Sequence, residues 1–213
     1  MRLSCVWSNK NLLFFVLKVS GLTFLDWNSM SFNVDSGQCL GLSGQSGAGK
    51  TLLLRAIADL DINYGEISIH GNLRSSFSGP DWRKKVGYLP AESKWWHLLT
   101  GQHFENSQNV PFESLGFSDH SILDREVSHL SSGEKQRLAL ARLLSLSPEV
   151  LLLDEPTANL DQHNSDLVEG LVNEYRKNHG AAVIWVAHDE SQLLRVSQRR
   201  LRMKDKSLLS DED

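Results

Sequence analysis

The sequence contains only two cysteines in 213 residues, Cys5 and Cys39. Cys39 falls on a predicted strand, so a disulfide framework is not expected and the composition points to a reducing compartment. No apolar run reaches the roughly 18 residues of a transmembrane helix, so the chain is not expected to cross a membrane by itself. A basic excess is missing too: the formal net charge is −4, which argues against a nucleic-acid partner. Seven of the eight histidines, among them His97, His103 and His120, show no metal-ligand spacing and read as surface or packing residues. The one targeting-like feature is weak. Arg2 and Lys10 precede Leu12-Leu13-Phe14-Phe15-Val16-Leu17, but Lys18 interrupts the run and no small-residue cleavage site follows. Residues 14–19 therefore read as a strand, and residues 1–10 as either a leader or an early start.

What is present is a globular composition, 40% apolar and 23% charged, enough for one well-buried domain. Its centre is Gly44-Gln45-Ser46-Gly47-Ala48-Gly49-Lys50-Thr51, a glycine, four residues, then Gly-Lys-Thr. This is the phosphate-loop pattern. Residues 39–42 read as a short buried strand entering the loop, and Leu52 opens an apolar-rich helix leaving it. Glycines let the backbone curl so that its N–H groups face a phosphate chain, and the helix N-terminus adds partial positive charge. Lys50 can reach terminal phosphates and Thr51 can offer its hydroxyl to Mg²⁺.

Along the chain, strands are expected at 14–19, 30–34, 38–42, 66–71, 86–89, 150–153 and 181–187, and helices at 51–59, from Ser131 to Ser145, and at 165–177. Residues 82–85 read as a basic turn. Residues 91–129 read as a small, mostly helical insert with Trp95, Trp96, Leu98 and Leu99 close together. The basic and apolar alternation from Arg195 to Lys206 reads as a helix and an edge strand, followed by an acidic end. Continuous apolar strands alternating with helices imply a parallel α/β sheet, with ligands at the carboxyl ends of the strands.

Three further features sit at or near such positions. Asp154 follows an apolar strand and can hold Mg²⁺ beside a nucleotide phosphate. Glu155 can polarise an attacking water. His188, after the strand at 181–187, can contact a γ-phosphate and orient that water. Separately, Ser131-Ser132-Gly133-Glu134 has capping-box spacing and offers free N–H groups as a second anion site.

In order and spacing these motifs resemble the ATP-binding subunit of an ABC transporter, over about residues 14–203. Gly44–Thr51 resembles its Walker A loop, and Leu130-Ser131-Ser132-Gly133-Glu134 is similar to its LSGGQ signature. Leu151-Leu152-Leu153-Asp154-Glu155 matches Walker B with the catalytic Glu, Asp161 ends a D-loop-like segment, and His188 resembles the switch His. The segments at 134–137 and 183–189 are also similar to small bacterial ATPases of the iron-export type. The chain departs from the pattern at Ala91, where the family has a Gln that reaches Mg²⁺ and links the site to the membrane subunit; Glu92 follows it.

The resemblance implies a P-loop NTPase, α/β, with a mostly parallel sheet flanked by helices, an antiparallel N-terminal edge and a small helical insert. It implies one ATP-binding domain, with a core over 14–90 and 130–203 and a subdomain over 91–129. Cofactors would be ATP and Mg²⁺, with Phe24 as the first candidate and Trp27 as the second for the aromatic that stacks on the adenine. Two copies would pair head to tail, Lys50 of one facing Ser132-Gly133 of the other. The dimer would drive a separate membrane permease docking near 91–129, placing the chain in the cytoplasm on the inner face of the membrane. The alternatives are a soluble non-transport ATPase of the same type and a catalytically weak regulatory cassette.

Overall fold

A computed structural model describes residues 15–105, 110, 112–117 and 120–210. The elements run β1 (Phe15–Thr23), β2 (Met30–Asp35), β3 (Cys39–Gly44), α1 (Lys50–Ile57), β4 (Tyr64–Ile69), β5 (Asn72–Leu73), α2 (Gly79–Lys85) and β6 (Val86–Leu89). After the insert come α3 (Ser132–Leu144), β7 (Val150–Asp154), α4 (Gln162–His179), β8 (Ala182–Val186), α5 (Glu190–Val196), β9 (Arg199–Lys204) and β10 (Ser207–Ser210).

The strands form two sheets. The larger has six strands in the order β10-β9-β3-β8-β7-β6. Its β3, β6, β7, β8 and β9 pair in parallel, and β10 closes the edge antiparallel to β9. The smaller is antiparallel, in the order β2-β1-β4-β5. The expected antiparallel edge is thus a sheet of its own, because β1 pairs with β2 and β4 and not with β3. The start of the strand expected from residue 14, the leader at 1–10 and the acidic end at 211–213 lie outside the described residues.

Alternation along the central strands builds a core on each face of the large sheet. Leu40, Leu42, Val150, Leu152, Ile184 and Val186 pack with the antiparallel sheet, α1 and Trp82. Cys39, Leu151, Leu153, Val183 and Trp185 pack with α3, α4 and the insert. Every residue of β7 and β8 is buried, which is why both read as continuous apolar runs.

Three expectations change. Residues 82–85 are the end of α2. Ser78 caps that helix by accepting from the Asp81 N–H at 3.2 Å, and Trp82 is fully buried with its indole N–H donating to the Ile57 carbonyl at 2.9 Å. The insert is helical only as short 3₁₀ turns among its described residues, at Thr100–His103, Glu113–Leu115, His120–Asp124 and Val127–His129. The tail carries a hairpin, with β9 inside the large sheet against β3 and β10 at the edge.

Helix boundaries follow their caps. Ser131 and Glu134 make the reciprocal capping box of α3: the Ser131 N–H donates to Glu134 Oε2 at 2.8 Å, and the Glu134 N–H donates to Ser131 Oγ at 3.2 Å. Asp161 caps α4 by accepting from the Asn164 N–H at 2.8 Å. Gly180, at φ 65°, ends it. The helix therefore runs longer than the expected 165–177.

Candidate active site

The site forms at the carboxyl ends of β3, β7 and β8, which are neighbours in the large sheet. From β3 the chain turns through Gly44-Gln45-Ser46-Gly47-Ala48-Gly49 into α1. Gly49 is the residue before that helix, at φ 79°, and a Cβ there would lie 2.6 Å from the Trp27 ring. Both conditions require glycine. Lys50 is buried, and its ammonium donates to the carbonyls of Gly44 at 2.7 Å and Gln45 at 3.2 Å. Desolvation lowers its pKa, while Glu155 and Asp154 act in the opposite direction.

Asp154 closes β7 and is 2% exposed. Its Oδ2 accepts from the Thr51 hydroxyl at 2.7 Å and from the Tyr88 hydroxyl at 3.2 Å. Burial is the main cause that pushes the Tyr88 phenol up, and neighbouring Asp154 adds to it. Thr51 and Asp154 are hard oxygen donors of the kind Mg²⁺ takes alongside nucleotide phosphates and water. No cluster of three or more His, Cys, Asp or Glu that could hold a metal by themselves occurs among the described residues. Thr51 and Asp154 supply two adjacent oxygen donors, a set that fits a cation shared with a phosphate ligand.

Glu155 has φ 50°, in the left-handed region that non-glycine residues seldom adopt. Its N–H donates to the Val186 carbonyl at 3.1 Å, tying it to the end of β8. Its Oε1 lies 2.8 Å from His188 Nε2. The strained backbone and the β7–β8 pairing together bring these two side chains into contact, and both border a cavity of about 370 Å³.

A second cavity, of about 680 Å³, lies beside the phosphate loop and is lined by Trp27, Gln45, Ser46, Gly47 and Ala48 together with Arg202 and Lys204 of β9 and nearby Lys206. Of the two aromatic candidates, Phe24 is 3% exposed and belongs to the core. This overturns its selection as the stacking residue, since a ring buried in the core has no face left for a base. Trp27 stacks on Phe24 with centroids 5.6 Å apart and lines the cavity. Leu52 packs partly buried against the core beside Leu53.

The signature-like residues lie elsewhere. Ser131, Ser132, Gly133 and Glu134 begin α3, on the face of the large sheet opposite α1. None of them lines the cavity beside the phosphate loop. Glu134 also pairs with Arg125 at 2.9 Å. Both Asp161 oxygens are engaged by Asn164, at 2.8 and 2.9 Å. Glu92 is exposed and faces Lys94 at 3.8 Å. Sequence reasoning missed Tyr88 and the basic hairpin. Tyr88 lay inside a recognised strand with no motif to mark it, and the hairpin was read without its neighbour β3.

Comparisons with known proteins agree with this fold. The family model described as ABC transporter matches residues 27–158. An aliphatic sulfonates import ATP-binding protein of Agrobacterium fabrum is 34% identical over 86% of this chain and 72% of its own length. A probable iron export ATP-binding protein of Escherichia coli is 32% identical over 78% of this chain and 79% of its own. The solved structure of an ATP-binding subunit of an ABC transporter superposes with a TM-score of 0.80 at 23% identity, covering 93% of this chain and 91% of the other. The chain belongs to the ABC transporter family, as one of the ATP-binding and ATP-hydrolysing subunits that power a separate permease.

Proposed function

We propose that ATP binds with its phosphates along Gly44–Thr51 and its base against Trp27, and is hydrolysed through Glu155 and His188. The observation that carries this reading is the convergence of Thr51, Asp154, Glu155 and His188 at the ends of adjacent strands, with contacts of 2.7 and 2.8 Å. Lys50 now satisfies its charge on loop carbonyls and would exchange them for phosphate oxygens. Thr51 and Asp154 would hold Mg²⁺, which supplies charge neutralisation to the phosphates when bound. Glu155 takes the proton of the attacking water. As that water oxygen bonds to the γ-phosphorus, the bond to the bridging oxygen breaks and ADP leaves. His188, in contact with Glu155, orients the carboxylate and the water.

Ser132-Gly133 begin a helix on the face of the large sheet opposite α1 and do not line the cavity beside the phosphate loop, which supports their meeting that loop across a head-to-tail pair. A cassette solved as a dimer with ADP and phosphate bound has the same fold, with a TM-score of 0.75 at 21% identity. A permease would dock at the groove of about 240 Å³ between the insert and the core, lined by Leu89, Pro90, Trp96, His103 and Arg142. Trp96 is 66% exposed there and Leu98 of the same insert is 64% exposed, apolar surface that a protein partner would cover. The insert at 91–129 thus serves as the docking subdomain. No helix among the described residues is long and apolar enough to cross a membrane. In this reading the chain works at the cytoplasmic face of the membrane through its permease, without a nucleic-acid partner.

The test is Glu155→Gln. The variant is expected to keep ATP affinity, to lose about 10²–10⁴-fold in turnover, and to accumulate as an ATP-bound dimer in size-exclusion chromatography. Turnover equal to the parent chain would remove Glu155 from the mechanism.

A further inference from the structure

Asp154 is a buried carboxylate, and a buried carboxylate needs hydrogen-bond donors to stay charged and oriented. Thr51 supplies one from α1, at 2.7 Å. The other comes from the neighbouring strand β6, on the same face of the sheet as α1, where the Tyr88 hydroxyl reaches the same Oδ2 at 3.2 Å. The pairing of β6 with β7 makes this possible. Tyr88 stands opposite Leu152, two residues before Asp154, and its ring packs partly buried against the same core as Leu152.

We infer that Tyr88 is a positioning residue for the cation site: its hydroxyl fixes the rotamer of Asp154 so that the remaining lone pairs of the carboxylate and of Thr51 Oγ1 face one point. This rests on the reading of Thr51 and Asp154 as the residues that hold the cation. Three observations support it beyond the bond itself. The Thr51 proton is already spent on Oδ2, so its lone pairs are free for a cation while the carboxylate stays anchored by two donors. Three residues beyond Tyr88, at Ala91, there is only a methyl group, and Glu92 is exposed beside Lys94. From this strand and its exit, Tyr88 is therefore the side chain shown bonded to Asp154. Finally, β6 runs directly into Leu89 and Pro90, which line the groove beside Trp96, and the Gln136 side chain donates to the Pro90 carbonyl at 3.3 Å. A displacement of that wall would be carried along β6 to the hydroxyl on Asp154.

The experiment uses the full chain with Mn²⁺ as the probe and a non-hydrolysable ATP analogue, free Mn²⁺ being read by electron paramagnetic resonance. Tyr88→Phe keeps the ring and removes the donor. Its Mn²⁺ affinity in the presence of the analogue should fall about tenfold, while analogue affinity in EDTA and the Tm stay as in the parent chain. Unchanged Mn²⁺ affinity would overturn the inference. So would an equal loss of analogue affinity in EDTA, which would mark a general disturbance of the fold. Asp154→Asn separates the two readings. If it abolishes Mn²⁺ binding while Tyr88→Phe does not, Tyr88 alone is misassigned. If Asp154→Asn binds Mn²⁺ normally, the cation site itself is elsewhere.

Discussion

Trp27 and Phe24 are stacked on each other and yet do different work. Phe24 is buried in the core, whereas Trp27 stands over Gly49 and lines the cavity beside the phosphate loop. Phe24→Ala should therefore cost about 3–5 kcal/mol of stability through the cavity it leaves, measured by denaturant unfolding. Trp27→Ala should instead weaken binding of a fluorescent ATP analogue and change the unfolding free energy much less. A Trp27 variant with parental nucleotide affinity would show that the base stacks elsewhere. Glu155 carries a similar lesson about local strain. Its left-handed backbone is compatible with glycine or asparagine far more than with a long acid, so the acid is retained there at a cost of roughly 1–3 kcal/mol. The contact with His188 gives a reason for that cost.

At the scale of elements, the start of α3 is a small electrostatic device. Burial by itself would raise the Glu134 carboxyl, but hydrogen bonds from the Ser131 backbone and hydroxyl and the contact with Arg125 outweigh it and hold the group below its ordinary value. A carboxylate with a depressed folded-state pKa contributes stability that is present above its unfolded pKa and is lost as pH falls through the folded one. Parental protein should thus be more thermostable than Glu134→Gln at neutral pH, with the gap in Tm closing as pH falls below about 4, near and under the ordinary Glu value. A gap that stays constant down to acid pH would mean that the capping hydrogen bonds, not the charge, dominate. This element was legible in advance because a capping box is a purely local pattern. Helix α2 was missed although Ser78, Pro80 and Asp81 form an equally local start signal. The basic run Arg83-Lys84-Lys85 has the pattern of a solvated turn, and burial of Trp82 depends on the distant Ile57 carbonyl. The hairpin β9–β10 shows the same limit. Leu201 and Met203 alternate with Arg200, Arg202 and Lys204 as any half-buried strand would, but nothing local says that β9 pairs in parallel with β3.

For the whole molecule, the separation of Ser131–Glu134 from the phosphate loop carries the largest consequence. If the second half of the site comes from another copy, ATPase activity per molecule should rise with protein concentration and level off once dimers dominate, followed by a turnover assay over a dilution series. Constant turnover down to the most dilute monomer would contradict the paired site. The sequence by itself determined the order of the motifs, the buried strands β7 and β8 and the phosphate-loop pattern at Gly44–Thr51, because each rests on residues adjacent in the chain or on the period of one element. Only the tertiary structure decided that Tyr88 and Thr51 meet on one oxygen of Asp154, that Trp27 and not Phe24 fronts the loop, and that a basic hairpin from the tail walls the same cavity. Those pairings join residues from 22 to more than a hundred positions apart, as with Trp27 and Gly49 or Thr51 and Asp154. The packing of the two sheets and the register of parallel strands bring them together, and neither leaves a pattern within a single stretch of sequence. The phosphate loop was thus recognisable from its own residues alone, whereas the company it keeps was set by the fold.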